Sequence, residues 1–146
     1  MEGVLSFADK KRKKDRQYEQ SMLRELSLEK IISSVDLCFR SIFHLVEDST
    51  YIKDGCVDFA IEAFLLGASF GKFGYYGESA QMAVVRSEKE ERELQHDFYE
   101  YIYHWSDAFR VYLNEESLYI ECEQFIRSWW IEGFSAGKKR LKLRLR

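Results

Sequence analysis

The stretch GASFGK, Gly67 to Lys72, decides how this chain is read. It contains G-x-S-x-G, a pattern found around some nucleophilic serines. It ends in Gly-Lys like a phosphate-binding loop, and its two glycines stand four apart, as where helices pack closely. A nucleophile elbow needs a strand before it and a sharp turn, yet the preceding residues, DFAIEAFLL, have helical periodicity. No histidine is placed to serve Ser69, which lies about 200° around a helix from Gly67. A phosphate loop needs G-x-x-x-x-G-K-[ST] after a strand; here the spacing is one residue short and Phe73 follows Lys72. The helix-contact reading accounts for more. Phe59, Ala63, Gly67 and Gly71 fall on one face, and glycines four apart let two backbones approach closely.

Sixty-six residues further on the chain reads GFSAGK, Gly133 to Lys138. The same offset aligns Phe43 with Phe109, Cys56 with Cys122 and Phe59 with Phe125. Phe125, Trp129, Gly133 and Gly137 again share a face. Residues 37–72 and 103–138 therefore read as two related helical hairpins. A glycine inside a helix costs about 1 kcal/mol against alanine, so four of them need a compensating contact. Gly67, Gly71, Gly133 and Gly137 are expected where the two Gly-containing helices cross, near a pseudo-two-fold axis.

Working outward, Leu28, Ile32, Val35, Phe39, Ile42 and Val46 step by four and three, one face of an amphipathic helix. Ser27 is placed to cap it, because a serine hydroxyl accepts an orphan amide of the first turn. Tyr18, Met22 and Leu26 form a shorter stripe on a separate N-terminal helix. Glu47 to Gly55 reads as a turn, Cys56 to about Phe73 as a second long helix, and GYYGES as its breaker. A third helix spans about 87–113 with the stripe Leu94, Phe98, Tyr101, Trp105, Phe109 and Tyr112. A fourth runs from about Leu118 into the basic tail. The expected fold is all-α: a four-helix core of two related antiparallel hairpins plus an N-terminal helix. Its expected divisions are a basic N-terminal segment and helix (1–26), a helical-bundle domain (27–137) and a basic C-terminal tail (138–146).

Bulk properties agree with one helical domain. The chain has 146 residues, 46% hydrophobic and 16% aromatic, with no proline, enough to bury a core without forced helix breaks. The longest uncharged apolar run, Ala63 to Gly71, is far short of the ~20 residues that span a bilayer, and the N-terminus does not resemble a signal peptide. Cys38, Cys56 and Cys122 have neither metal-finger nor disulfide-framework spacing, so a cytoplasmic location is expected.

One polar constellation invites a metal. Glu93, His96, Glu100, His104 and Asp107 share a helix face, and Glu-x-x-His also occurs in di-iron four-helix proteins. Their stripe points away from the apolar one, however, and only one such motif is present. A metal-dependent helical-bundle enzyme using Glu93, His96, Glu100 and His104 is kept as the rival reading. Neither a catalytic residue nor a cofactor is expected. Tyr99 and Tyr103 lie off the core stripe, where they could contact a partner. Adjacent Trp129 and Trp130 point about 100° apart.

Charge is the clearest clue to function. The net charge is −3, but residues 1–16 carry six basic and three acidic groups, and KKRLKLRLR at 138–146 carries six basic and no acidic ones. About −12 remains on residues 17–137. Lys138, Lys139, Arg140, Lys142, Arg144 and Arg146 are the candidate contacts to an anionic surface, either nucleic acid or membrane.

The N-terminal run VLSFADKKRKKDRQYEQSMLRELSLEK, together with the Gly-rich helix, is similar to small uncharacterised helical proteins of spore-forming bacilli, a domain-of-unknown-function family. That resemblance implies a bacterial cytoplasmic helical protein and brings no activity, ligand or catalytic residue with it. The expected function is a small interaction or regulatory protein without catalysis. Its expected contact is a protein partner, which can be a second copy of the chain, with nucleic acid or an anionic membrane as the alternative through the basic termini.

Overall fold

Seven α-helices and no strands make up the residues that the computed structural model describes, 7–43, 49–108 and 114–144. The protein is all-α. Val46, Phe109, Tyr112 and Arg146, and the Phe43–Phe109 match, fall at least partly outside the described residues.

Helix α1 (Phe7–Leu23) is polar along most of its length and buries Met22 at its C-terminal end. A turn at Glu25 and Leu26 leads to α2 (Leu28–Phe43). Ser27 caps it, its hydroxyl oxygen accepting from the Lys30 amide at 3.3 Å. The inward face of α2 is Ile31, Val35, Phe39, Ile42 and Phe43; Leu28 and Ile32 are exposed, contrary to the expected stripe. Ile31 and Ile32 are neighbours, so either phase satisfies an apolar period, and packing selects Ile31. The backbone kinks at Phe39, where its ring meets Phe98 and Phe125, each at 5.5 Å between centroids.

Helix α3 (Thr50–Ser69) starts earlier than expected, so Tyr51–Gly55 are helical rather than turn. It stops at Phe70, after which α4 (Gly71–Tyr75) makes one further turn. Gly77, at φ +106°, supplies the left-handed residue that ends this segment. Helix α5 (Ala80–Arg86), not anticipated from the sequence, is capped by Ser79, which accepts from the Met82 amide at 3.2 Å. Helix α6 (Glu88–Ala108) follows directly. Helix α7 (Glu115–Arg144) starts with Asn114 accepting from the Ser117 amide at 3.0 Å and runs unbroken for thirty residues.

Helices α3 and α7 form the axis of the molecule. A Cβ built on Gly67 would land on the Trp130 carbonyl oxygen, and one built on Gly133 would land on the Phe64 carbonyl oxygen. Further along, Gly71 abuts Gly137 and the Lys138 amide, and Gly137 abuts the Ala68 carbonyl. Partner numbers rise together along both helices, so α3 and α7 run in the same direction. Backbone packs on backbone across this seam.

The main core lies around it, with Phe39, Phe98, Phe125, Ile52, Ile102 and Ile126 buried. Trp129 faces α2, its indole N–H donating to the Ser34 hydroxyl at 3.3 Å. Trp130 turns the other way, stacks on Phe134 at 5.4 Å and packs beside Ala83 of α5.

Candidate functional site

Ser69 and Lys72, the polar members of GASFGK, are not brought to a reaction centre. Ser69 sits at the exposed end of α3, its hydroxyl donating to the Leu66 carbonyl at 2.6 Å. The Lys72 ammonium lies 5.3 Å from the centre of the Phe73 ring. Gly67, Gly133 and Gly137 line the α3–α7 seam, whereas Gly71, expected on the same helix as Gly67, is the first residue of α4 and meets α7 at Gly137 and Lys138.

Glu93, His96, Glu100 and His104 are all exposed along the outside of α6. His96 and Glu100 approach to 3.5 Å with side chains 63% and 66% exposed. Among the described residues, no group of three or more His, Cys, Asp or Glu side chains converges to hold a metal ion. Tyr99 is half-buried against Tyr103 and Tyr119, at 6.0 and 5.5 Å between ring centres.

Helix α6 turns a different set of polar groups inward. Its buried face is Glu91, Gln95, Phe98, Ile102 and Ser106, whereas Leu94, Tyr101 and Trp105 of the expected stripe flank it. The Glu91 carboxylate is held by the Arg127 guanidinium of α7, with Nε 2.7 Å from both oxygens, and by the Gln95 amide at 3.3 Å. Steps of four, three and four from Glu91 to Ile102 place Glu91 on the core face, which was the available signal. Nearby in sequence, the Ser87 hydroxyl is buried without a hydrogen-bond partner, as is the indole N–H of Trp130. Cys56 and Cys122, also sixty-six residues apart, are buried close to one another, and burial pushes both thiols up, that of Cys122 to about 12.

The basic segments flank one cleft. Tyr18 of α1 donates its hydroxyl to the Ala68 carbonyl at 2.8 Å and borders Gly137. Burial raises the Tyr18 phenol, opposed in part by the positive charge of Arg140. Arg140 pairs with Glu25, beyond the end of α1, at 3.6 Å. Leu141 of α7 lines a cleft of about 460 Å³ with Lys11, Tyr18, Met22 and Lys72. The direct contacts between α1 and α7 are therefore at Tyr18 and just past the helix at Glu25, while Lys11 and Leu141 face one another across the cleft with Lys72 of α4 beside them. Lys10, Lys11, Arg12, Lys13, Lys14 and Arg16 are exposed on α1, and Lys138, Lys139, Lys142 and Arg144 on α7. Of these two groups together with Arg140, only Arg140 joins an ion pair among the described residues. Phe7 and Leu143, 85% and 60% exposed, stand among these charges. Acidic groups are present too, Asp15 and Glu19 lining the same cleft.

No helix among the described residues is long and apolar enough to cross a membrane. A family model described as a protein of unknown function (DUF2521) matches residues 1–146. The chain is also similar to the "Uncharacterized protein YbaK" of Bacillus subtilis (strain 168), 46% identical over 147 residues, the match covering 100% of each chain. No solved structure matches the chain.

Proposed function

We propose that this chain, which belongs to the DUF2521 family of proteins of unknown function, is a small non-catalytic interaction protein whose contact surface is its basic end. The observation that carries this reading is that basic segments from opposite ends of the sequence, Lys10–Arg16 and Lys138–Arg144, flank one cleft, lined by Lys11 from the first and by Leu141 within the second. Unpaired like charges held together repel one another, so the arrangement is most stable with an anionic partner. A non-catalytic role is supported by how the interior is filled, with backbone on backbone at the glycine seam and aromatic rings around it. It is supported also by Arg127 and Gln95 holding Glu91, the one carboxylate buried among the described residues, in an ion-paired site.

Retention on an immobilised polyanion such as heparin tests this. A chain of net charge −3 with evenly spread charge would pass through at low salt. The native chain is expected to bind and elute only as salt rises. Replacing Lys13, Lys14, Lys138, Lys139 and Lys142 with glutamine should abolish retention while leaving helicity and melting temperature unchanged. Passage of the native chain without delay would refute the reading.

A further inference from the structure

We infer that the basic end docks on an anionic lipid bilayer, with Phe7 and Leu143 entering the boundary between headgroups and acyl chains. The inference rests on the reading of the basic end as the contact surface and adds what that surface touches.

Two kinds of side chain are mixed there. The lysines and arginines suit any polyanion, whether a nucleic acid or a lipid headgroup. Phe7 and Leu143 discriminate between them. Phe7 is four residues before Lys11, which puts it on the α1 face that lines the cleft, at its outer edge. Leu143, two positions after the cleft-lining Leu141, points about 200° around α7 from the cleft and stands at the same C-terminal tip. Both are exposed although each is a large apolar group among cations. A phosphodiester backbone offers these groups little apolar surface, whereas a bilayer buries them just below the phosphates that the lysines contact. Stable peripheral attachment takes two weak signals together, basic charge and apolar insertion. Both occur here on one rigid end.

The geometry suits end-on contact. Between Glu123 and Lys138, α7 rises about 22 Å at ~1.5 Å per residue. That exceeds the ~8–10 Å over which charges act through physiological salt, so the acidic start of α7 does not oppose docking by its other end. Nearer acids are Asp9, Asp15, Glu19, Glu25 and Glu132. Beyond Glu19 and Ser69, on the side of the cleft away from the α7 tip, stand Glu62, Glu90, Glu93 and Asp97. Glu25 is occupied by Arg140 and Glu132 by Lys30. Asp9, Asp15 and Glu19 lie on α1 among its basic groups, which outnumber them.

The full-length chain can be sedimented with vesicles of phosphatidylcholine alone and with vesicles of phosphatidylcholine and phosphatidylglycerol in similar amounts. Binding is expected only to the second, weakening as salt rises. Each of Lys13→Gln and Lys139→Gln should weaken it about fivefold. Phe7→Ala with Leu143→Ala, which removes no charge, should weaken vesicle binding several-fold while leaving heparin elution and melting temperature unchanged. A Phe7→Trp variant should show a blue-shifted emission on the anionic vesicles. Vesicle binding that ignores the Phe7 and Leu143 changes would overturn the inference. So would binding to duplex DNA with no binding to vesicles, an outcome that leaves the basic-end reading intact. Failure on heparin, DNA and vesicles alike would overturn both.

Discussion

Gly133 presses its Cα against the Phe64 carbonyl, and the reciprocal contact, Gly67 on the Trp130 carbonyl, joins residues offset by sixty-six from the first pair. Glycine is required at both places because any side chain would occupy the opposing backbone. In an open helix, Gly133→Ala would raise stability by about 1 kcal/mol. Here the added methyl must separate two helices, and overpacking of this kind costs about 1–3 kcal/mol. Both Gly133→Ala and Gly67→Ala are expected to lower the unfolding free energy by a net of up to about 2 kcal/mol, read as a lower urea midpoint. A midpoint equal to or above that of the native chain would contradict the close approach.

Removing Arg127 strands a charge. The Glu91 side chain is only 2% exposed, and without the guanidinium it keeps only the Gln95 amide at 3.3 Å. Breaking a buried pair from one side costs about 3–5 kcal/mol. The Arg127 side chain is 43% exposed, so Arg127→Leu should fall near or below the lower end of that range. Combining it with Glu91→Leu should recover most of the loss, as measured by a double-mutant cycle on unfolding free energy.

The thiols should report folding. Cys56 and Cys122 are fully buried and held protonated by their surroundings, whereas Cys38 is half-buried. At mildly alkaline pH, Ellman's reagent is expected to titrate Cys38 alone in the native chain and all three cysteines in urea. Fast reaction of three thiols without denaturant would contradict the packing.

The same protons set an alkaline limit. Burial raises Cys56 and Cys122 in the folded state, and burial followed by the nearby Cys56 raises Tyr101 to about 12. The folded chain therefore binds these protons more tightly than the unfolded one, whose thiols titrate near ~8.5. Their contribution is fully present below that pH and is lost as pH rises toward the folded values. Urea midpoints should show this loss above about pH 9, less steeply in Cys122→Ala, once each variant is referred to its own value at neutral pH.

Tyr18 joins stability to function. Tyr18→Phe deletes the bond to the Ala68 carbonyl, worth about 1 kcal/mol, and loosens α1 from the α3–α7 axis. Amide exchange along α1 should accelerate, and the salt needed for heparin elution should fall although no charge has been removed. Unchanged elution would mean that the two basic segments act independently.

The all-helical class was legible because long apolar stripes with periods of three and four run through a chain free of proline. Phase was less legible. Ile31 and Ile32 offered two faces of α2, and the aromatic weight of Leu94, Tyr101 and Trp105 pulled the reading of α6 away from Glu91 and Gln95, whose burial depends on an arginine thirty-six residues distant. Helix α5, at seven residues, spans barely two turns and buries only Ala83, too little to make an apolar stripe. The break at Phe70 carries no proline and comes before its glycine. Both basic clusters could be counted in the sequence, but that they flank one cleft depends on Tyr18 seating α1 beside α7, which no local pattern records.

Helix α7 opens with Glu115, Glu116, Glu121 and Glu123 and closes with Lys138, Lys139, Arg140, Lys142 and Arg144. Peptide dipoles alone would make its first turn positive by about half a charge. The side chains outweigh them and reverse the poles of a rod about 45 Å long. Near a negatively charged wall the whole molecule is repelled while a torque turns it, so it arrives with its C-terminal tip leading.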